Sequence, residues 1–197
     1  PMLILLGNPS NPRICAKIPS MSDPFLRQLL TLPTVLSAYL SADRQWVAFN
    51  WYRVHENNDV FVVKADGSAP PIALTHTPEA TRFISWTPDS QAVIVAEDHN
   101  NDEHVRLFRV DLERPREMYP LTEDRPACFI RGGDLHPNGR YLFYGANYDY
   151  ARQEILEATL IYRHDLVSGE RIPIARPARP AYTVPSLNRR GTHLIYP

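Results

Sequence analysis

An all-β fold is what this sequence predicts, and three observations carry it. A four-part pattern of short apolar runs and polar turns occurs three times and begins a fourth. The aromatic content (10 Tyr, 7 Phe and 3 Trp) leans toward pleated, half-buried surfaces. Between the runs there is no helical pattern of about 10 to 15 residues, which a chain alternating strands with helices would need.

The repeats are read by aligning their turns. The first runs "VLSAYLSADRQWVAFNWYRVHENNDVFVVKADGSAPPIALT" over residues 35–75. The second is "FISWTPDSQAVIVAEDHNNDEHVRLFRVDLERPREMYPLT" over 83–122, and the third "IRGGDLHPNGRYLFYGANYDYARQEILEATLIYRHDLVSGERIPIA" over 130–175. A fourth, "YTVPSLNRRGTHLIYP", occupies 182–197 and supplies only one hairpin. The turns begin at Ser41, Thr87, His136 and Asn188, which are 46, 49 and 52 residues apart. Periods of roughly 40 to 50 residues with four strands each are those of propeller blades.

Inside each repeat a strand ends in Ser-Ala-Asp-Arg, Thr-Pro-Asp-Ser, His-Pro-Asn-Gly or Asn-Arg-Arg-Gly. Proline presets the first corner of such a turn, and Asp, Asn or Gly tolerate the second. The second strands, Trp46–Phe49, Ala92–Val95, Tyr141–Tyr144 and His193–Tyr196, are apolar on both faces, as sheets covered on both sides require. Third strands are expected to end at Asp66, Asp111 and Asp165, and fourth strands to carry Ile72–Leu74, Met118–Leu121 and Ile172–Ile174. Trp46 and Trp86 lie within strand runs and read as blade core. The fold class is therefore a β-propeller: about three complete four-stranded antiparallel blades plus a partial fourth, residues 35–197.

Residues 1–34 read as an N-terminal extension. Ser22-Asp23-Pro24 before "FLRQLL" has the form of a helix cap with proline at the first helical position, and Pro33 ends the short helix. Propellers close with about four to eight blades, so three blades and a hairpin are expected to be an open fragment of a larger ring. The rival is a clasp, in which Ile4–Leu6 or Ile14–Ala16 pairs with His193–Tyr196 to complete a four-bladed ring.

Composition excludes several functions. The 21 basic and 22 acidic residues are interspersed, without the basic stripe of a nucleic-acid binder. No run approaches the ~18 apolar residues of a membrane span, and Met2–Leu6 is too short and lacks the basic flank of a signal peptide. The default location is cytoplasmic. Cys15 and Cys128 read as reduced thiols there.

The stretches "SWTPDSQAVIVAED", "VRLFRVDL", "LHPNGRYLFYGANYD" and "LNRRGTHLIY" resemble the N-terminal propeller of prolyl oligopeptidase-family serine peptidases, and the related TolB-type propellers. The peptidase resemblance is to the acylaminoacyl-peptidase and dipeptidyl-peptidase-like branch, and it covers the chain from about residue 35 onward. It implies a partner α/β-hydrolase domain C-terminal to the propeller, a peptide substrate and a substrate-gating role, with no cofactor. The nucleophile of such a hydrolase sits on a Gly-x-Ser-x-Gly elbow. That pentapeptide is absent from this sequence, so no catalytic residue is assigned. The alternative reading is a TolB-like protein-interaction propeller with no enzymatic role.

Two candidate sites stand out. "EDHNNDEH", residues 97–104, is rich in oxygen and imidazole donors but lacks the Asp-x-Asp-x-Asp-Gly calcium loop, and reads as a solvated hairpin tip rather than a metal site. With the tips at 50–59 and 147–157 it should line one rim. Arg131 begins "IRGGDL", where Gly132 and Gly133 permit close backbone approach near a central channel. It is the candidate substrate-binding residue, through a peptide carboxylate. A salt bridge to Asp134 or Asp149 is the structural alternative.

Overall fold

The computed structural model describes residues 28–100, 102, 104–125, 128–177 and 184–196. The chain divides into two compact units, Pro1–Leu32 and Pro33–Pro197. Of the first, only a helical turn at 28–30 is described, closed by the Thr31 N–H and hydroxyl on the Gln28 carbonyl at 3.2 and 3.1 Å. The predicted helix start at Ser22, Cys15, and the clasp between residues 4–6 or 14–16 and residues 193–196 fall outside the described residues.

The second unit is built of antiparallel meanders. The first sheet runs β1 (Thr34–Leu40), β2 (Trp46–Tyr52), β3 (Asn58–Lys64) and β4 (Ile72–Ala73). The second comprises β5 (Ala80–Trp86), β6 (Ala92–Asp98), β7 (Arg106–Asp111) and β8 (Met118–Pro120). In the third are β9 (Ile130–Leu135), β10 (Tyr141–Asp149), β11 (Glu154–Asp165) and β12 (Arg171–Ala175). A fourth, two-stranded sheet pairs β13 (Ser186–Leu187) with β14 (Leu194–Ile195). Every pairing is antiparallel between sequence neighbours, as the three-and-a-part blade pattern requires.

The repeated turns owe their shape to one hydrogen-bond device. In the first blade Ser41 Oγ donates to Asp43 Oδ1 at 2.5 Å and accepts the Trp46 N–H at 3.0 Å, while Asp43 Oδ1 also accepts the Gln45 N–H. Thr87, Asp89, Gln91 and Ala92 repeat this arrangement in the second. The third turn shares one bond of it, the Arg140 N–H to Asn138 Oδ1, while His136 Nδ1 accepts the Asn138 N–H instead. The fourth position of each turn is left-handed: Arg44 (φ 61), Ser90 (φ 59), Gly139 (φ 72) and Gly191 (φ 71). Two of the four are therefore non-glycine residues held in a conformation that costs about 1 kcal/mol or more.

The blades stack through their apolar faces. Ala48, Val60 and Val62 of the first blade meet Val93, Val95 and Phe108 of the second, with Trp46 and Trp86 packed on the edge of that cluster. The opposite face of the second blade, Ile94, Ala96 and Leu107, meets Leu142, Tyr144 and Tyr162 of the third. Strand β6 is thus buried on both sides, and its five residues Ala92–Ala96 are all at most 7% exposed. Each fully buried aliphatic chain contributes roughly 1.5–3 kcal/mol of transfer free energy.

One phase assignment differs from expectation. Ala65, Leu112 and Leu166 each donate a backbone N–H to the equivalent turn residue, Gln45, Gln91 and Arg140. Lys64, Asp111 and Asp165 are therefore the matched strand ends, paired with Trp46, Ala92 and Tyr141. Asp66 lies two residues later, in the loop, where its Oδ1 accepts the Ser68 N–H at 2.9 Å. Lys64 instead places its ammonium 3.7 Å from the Trp46 ring centre.

Candidate functional site

The first strands of successive blades are neighbours: β5 lies beside β9 and β9 beside β13, while Tyr39 of β1 stacks on Phe83 of β5 at 4.6 Å. Arg131 sits on this line of first strands, paired with Gly145 and half-buried, with its guanidinium carbon 5.2 Å from the Phe129 ring centre. The two glycines after it do serve close approach, and the structure names what approaches. A Cβ on Gly132, at φ 68, would lie 2.6 Å from Val184 Cγ1. One on Gly133 would lie 3.1 Å from Ile84 Cγ2 and 3.4 Å from Leu107 Cδ1. The crowding comes from the neighbouring blades. Asp134 belongs to the same seam: its Oδ2 accepts the Leu187 N–H at 2.8 Å, and burial raises its pKa above the usual carboxylate value.

The hairpin tips between second and third strands share an end of the blades with the connections between blades. In residues 97–104 the described polar groups are engaged pairwise. Glu97 accepts the Thr77 hydroxyl at 2.8 Å, Glu79 accepts the Asn100 N–H at 2.7 Å and faces His99 Nδ1 at 3.4 Å, and His104 Nδ1 lies 3.1 Å from Asp102. Among the described residues no group of three or more His, Cys, Asp and Glu is placed to hold a metal ion. The third tip is closed by Asp149, whose Oδ1 accepts the Ala151 and Arg152 N–H groups.

The first tip carries a constellation that residue spacing did not reveal. Asp59, the second residue of β3, is a fully buried carboxylate, 2.7 Å from His55 Nδ1 and accepting the Thr75 hydroxyl at 2.8 Å. A carboxylate–imidazole contact of this kind is what orients the histidine of a Ser-His-Asp triad. The hydroxyl beside it, however, is committed: Thr75 gives its proton to Asp59 and takes hydrogen bonds from the Val60 N–H and the Thr81 hydroxyl. Thr122 accepts the Leu107 N–H in the same way at 2.9 Å, so the threonine after the fourth strand is a repeated structural lock. The sequence signal for the pair was weak because Asp59 sits among tip polar residues and only the strand boundary buries it.

A second polar network ties the segment after β8 to the third blade. Arg171 pairs with Glu123 at 2.9 Å, donates to the Tyr144 hydroxyl at 3.1 Å and lies 4.7 Å from the Tyr150 ring centre. Arg125 donates to the Tyr148 hydroxyl at 3.1 Å. Burial pushes the Cys128 thiol up to about 11, so it is held protonated and is a poor nucleophile. The same burial raises Tyr144 and Tyr150. At the opposite, turn-bearing end, a cleft of about 530 Å³ is lined by Gln91, Arg109, Asp111, Glu113, Arg114 and Tyr119. Arg109 is paired to Asp111 at 2.7 Å and Arg114 donates to Tyr119, which donates to Glu117. Among the described residues no helix is long and apolar enough to cross a membrane.

No protein family and no curated protein matches this sequence. Solved structures do resemble its fold. TolB from Acinetobacter baumannii aligns with a TM-score of 0.57 at 15% identity, over 80% of this chain and 36% of that one. The putative TolB from Agrobacterium tumefaciens gives 0.56 at 13% identity, over 80% and 62%. Prolyl oligopeptidase B from Galerina marginata, bound to a 35mer hydrolysis and macrocyclization substrate, gives 0.57 at 14% identity, over 81% and 21%. The chain spans less than two thirds of each of these proteins. Antiparallel four-stranded blades, stacked by their faces and joined in sequence order, give this chain the partial β-propeller fold seen in TolB and the prolyl oligopeptidases.

Proposed function

We propose that this chain is the non-catalytic, substrate-gating propeller portion of a serine peptidase of the prolyl oligopeptidase family. The observation that supports it is the hydrogen-bonded tip face. Glu79, Glu97, Asp59 and Asp149 fix loops that a solvated fringe would leave loose. A face ordered in this way is suited to meeting a hydrolase domain and filtering peptides by size. The likeness to prolyl oligopeptidase B is in keeping with this reading. Arg131, on the line of first strands, is the residue proposed to hold a peptide carboxylate, and the location is cytoplasmic.

The likeness to two TolB proteins favours a second reading, a protein-interaction propeller with no enzymatic role. Kinetics on the full-length gene product separate the two. The gating reading predicts peptide hydrolysis in which Arg131→Ala or Glu79→Gln changes kcat/KM for long peptides more than for dipeptide substrates. A uniform effect across peptide lengths contradicts gating. Absence of peptide hydrolysis from the folded full-length protein supports the interaction propeller.

A further inference from the structure

Arg82 and Arg131 hold equivalent places on neighbouring first strands. Each stands five residues before the start of its turn, Thr87 or His136. Each also pairs with the fifth residue of its blade's second strand, Arg82 with Ala96 and Arg131 with Gly145. Both partners are small, so neither arginine stem meets a bulky cross-strand neighbour. Ala96 belongs to the apolar face that meets the third blade, so Arg82 projects on that side, toward β9. Ile130 belongs to the same cluster, so Arg131, the next residue, projects from the far side of β9. The two arginines thus flank β9, the edge strand of its sheet, beside a stretch where Gly132 and Gly133 carry no side chain. The two first strands touch there: a Cβ on Gly133 would lie 3.1 Å from Ile84 Cγ2. In the first blade the same place is taken by Ser37, paired with Asn50. Asn50 grips β5 on both sides of Arg82: its Nδ2 donates to the Thr81 carbonyl at 3.0 Å and its Oδ1 accepts the Phe83 N–H at 3.0 Å. Asn58 Nδ2 donates to the same Thr81 carbonyl at 2.9 Å. The backbone that carries Arg82 is therefore fixed, while Arg82 itself is exposed and enters no ion pair among the described residues.

We propose that Arg82 and Arg131 form a two-guanidinium site on the line of first strands that takes the C-terminal carboxylate of a short peptide. A guanidinium presents a planar fork that matches a carboxylate bidentately, and it stays charged at any working pH. Two such forks on either side of β9 suit a chain end lying across its glycines. Donors mounted on a fixed backbone also lose less freedom when a ligand binds. The arginines of the turn-end cleft make the contrast. Arg109 is tied to Asp111 and Arg114 to Tyr119, so each already serves a side chain of its own blade. The equivalence of Arg82 and Arg131 extends the site from one side chain to two strands. Its part in gating rests on the reading proposed above, whereas its chemistry requires no hydrolase domain.

Amide NMR titration of the 197-residue chain reads binding without any hydrolysis. The probes are N-acetyl-tetra-alanine with a free C-terminus, the same peptide as its C-terminal amide, and inorganic phosphate. The free acid is expected to bind about tenfold more tightly than the amide, with shifts at Phe83, Gly132 and Gly133. Arg82→Ala and Arg131→Ala should each weaken the free acid about tenfold and leave the amide unchanged. Arg114→Ala should alter neither. Equal binding of acid and amide, no binding of either, or loss of binding in Arg114→Ala instead overturns the site. Phosphate that displaces the free acid at comparable concentration overturns its assignment to a peptide end. Arg82 is exposed, so its variant keeps the test decisive even where Arg131→Ala, whose guanidinium packs on Phe129, does not fold. Failure here leaves the kinetic test of gating standing, and a full-length protein without peptidase activity leaves this site standing.

Discussion

The Asp43 backbone N–H donates to Ser90 Oγ at 3.1 Å, joining the turn of the first blade to that of the second. Ser90 is fully buried although it lies on a turn. The contact recurs along the arc in other forms: Gly139 approaches Pro88, and Gly191 approaches His136 and Pro137. The turns thus form a continuous seam at one end of the blades, opposite the hairpin tips.

That seam makes the left-handed residues unequal. Arg44 is exposed at φ 61 and gains nothing from its Cβ, so Arg44→Gly should stabilise the chain by about 0.5–1 kcal/mol, relieved strain outweighing the entropy of glycine. The urea midpoint checks it. An unchanged or lower midpoint would show that the Arg44 side chain contributes more than its conformation costs.

Gly191 should tolerate nothing larger. A Cβ there would sit 2.4 Å from His136 Nε2 and 2.9 Å from Pro137 Cδ, at φ 71. Gly191→Ala is expected to undock the β13–β14 hairpin, seen as loss of amide protection at Leu187, whose N–H is held by Asp134. Retained protection at Leu187 would mean the third and fourth turns are not in contact.

Leu107 is fully exchanged from solvent into the core between the second and third blades. Leu107→Ala should cost about 2–5 kcal/mol, near the upper end because Gly133 on the facing strand offers no side chain to fill the gap. A loss below about 1 kcal/mol would contradict face-to-face stacking of these blades.

His164 predicts an acid limb of stability. It is 3% exposed, its Nδ1 makes no hydrogen bond among the described residues, and burial together with the Arg171 charge lowers its pKa from 6.5 to about 4. The unfolded chain binds this proton near the ordinary value and the folded chain only near pH 4. Stability is therefore fully present above about pH 6.5 and declines as pH falls toward 4, by on the order of 3 kcal/mol in total. Urea midpoints across this range should lose most of that slope in His164→Leu. A slope unchanged by the substitution would assign the proton elsewhere. Asp165 acts lower: its bond to Arg140 and the Val167 and Ser168 N–H groups hold its pKa well below the usual range, so its contribution is lost only in strong acid.

Much of the architecture was legible because its signals are local. Thr87-Pro88-Asp89 and His136-Pro137-Asn138 carry side chains that bond to backbone within four or five residues, so the blades could be phased from the turns alone. Asp66 misled because an aspartate near a strand end looks like its counterparts, and only the Ala65 N–H to Gln45 contact shows the offset. Gly132 and Gly133 were correctly read as sites of close approach, but what approaches is Val184 and Ile84, tens of residues away. The Asp59–His55–Thr75 network was invisible for the same reason: its members are joined by strand pairing and burial, which no single window of sequence contains.

Residues 35–197 are proposed above to be a propeller portion that performs no acyl transfer of its own. The most direct measurement is fluorophosphonate labelling of the full-length gene product, followed by mapping of the adduct. One adduct is expected, on a serine outside these 197 residues, and none on this chain alone. An adduct on a serine within the chain, with peptide turnover lost when that serine is replaced, would contradict it.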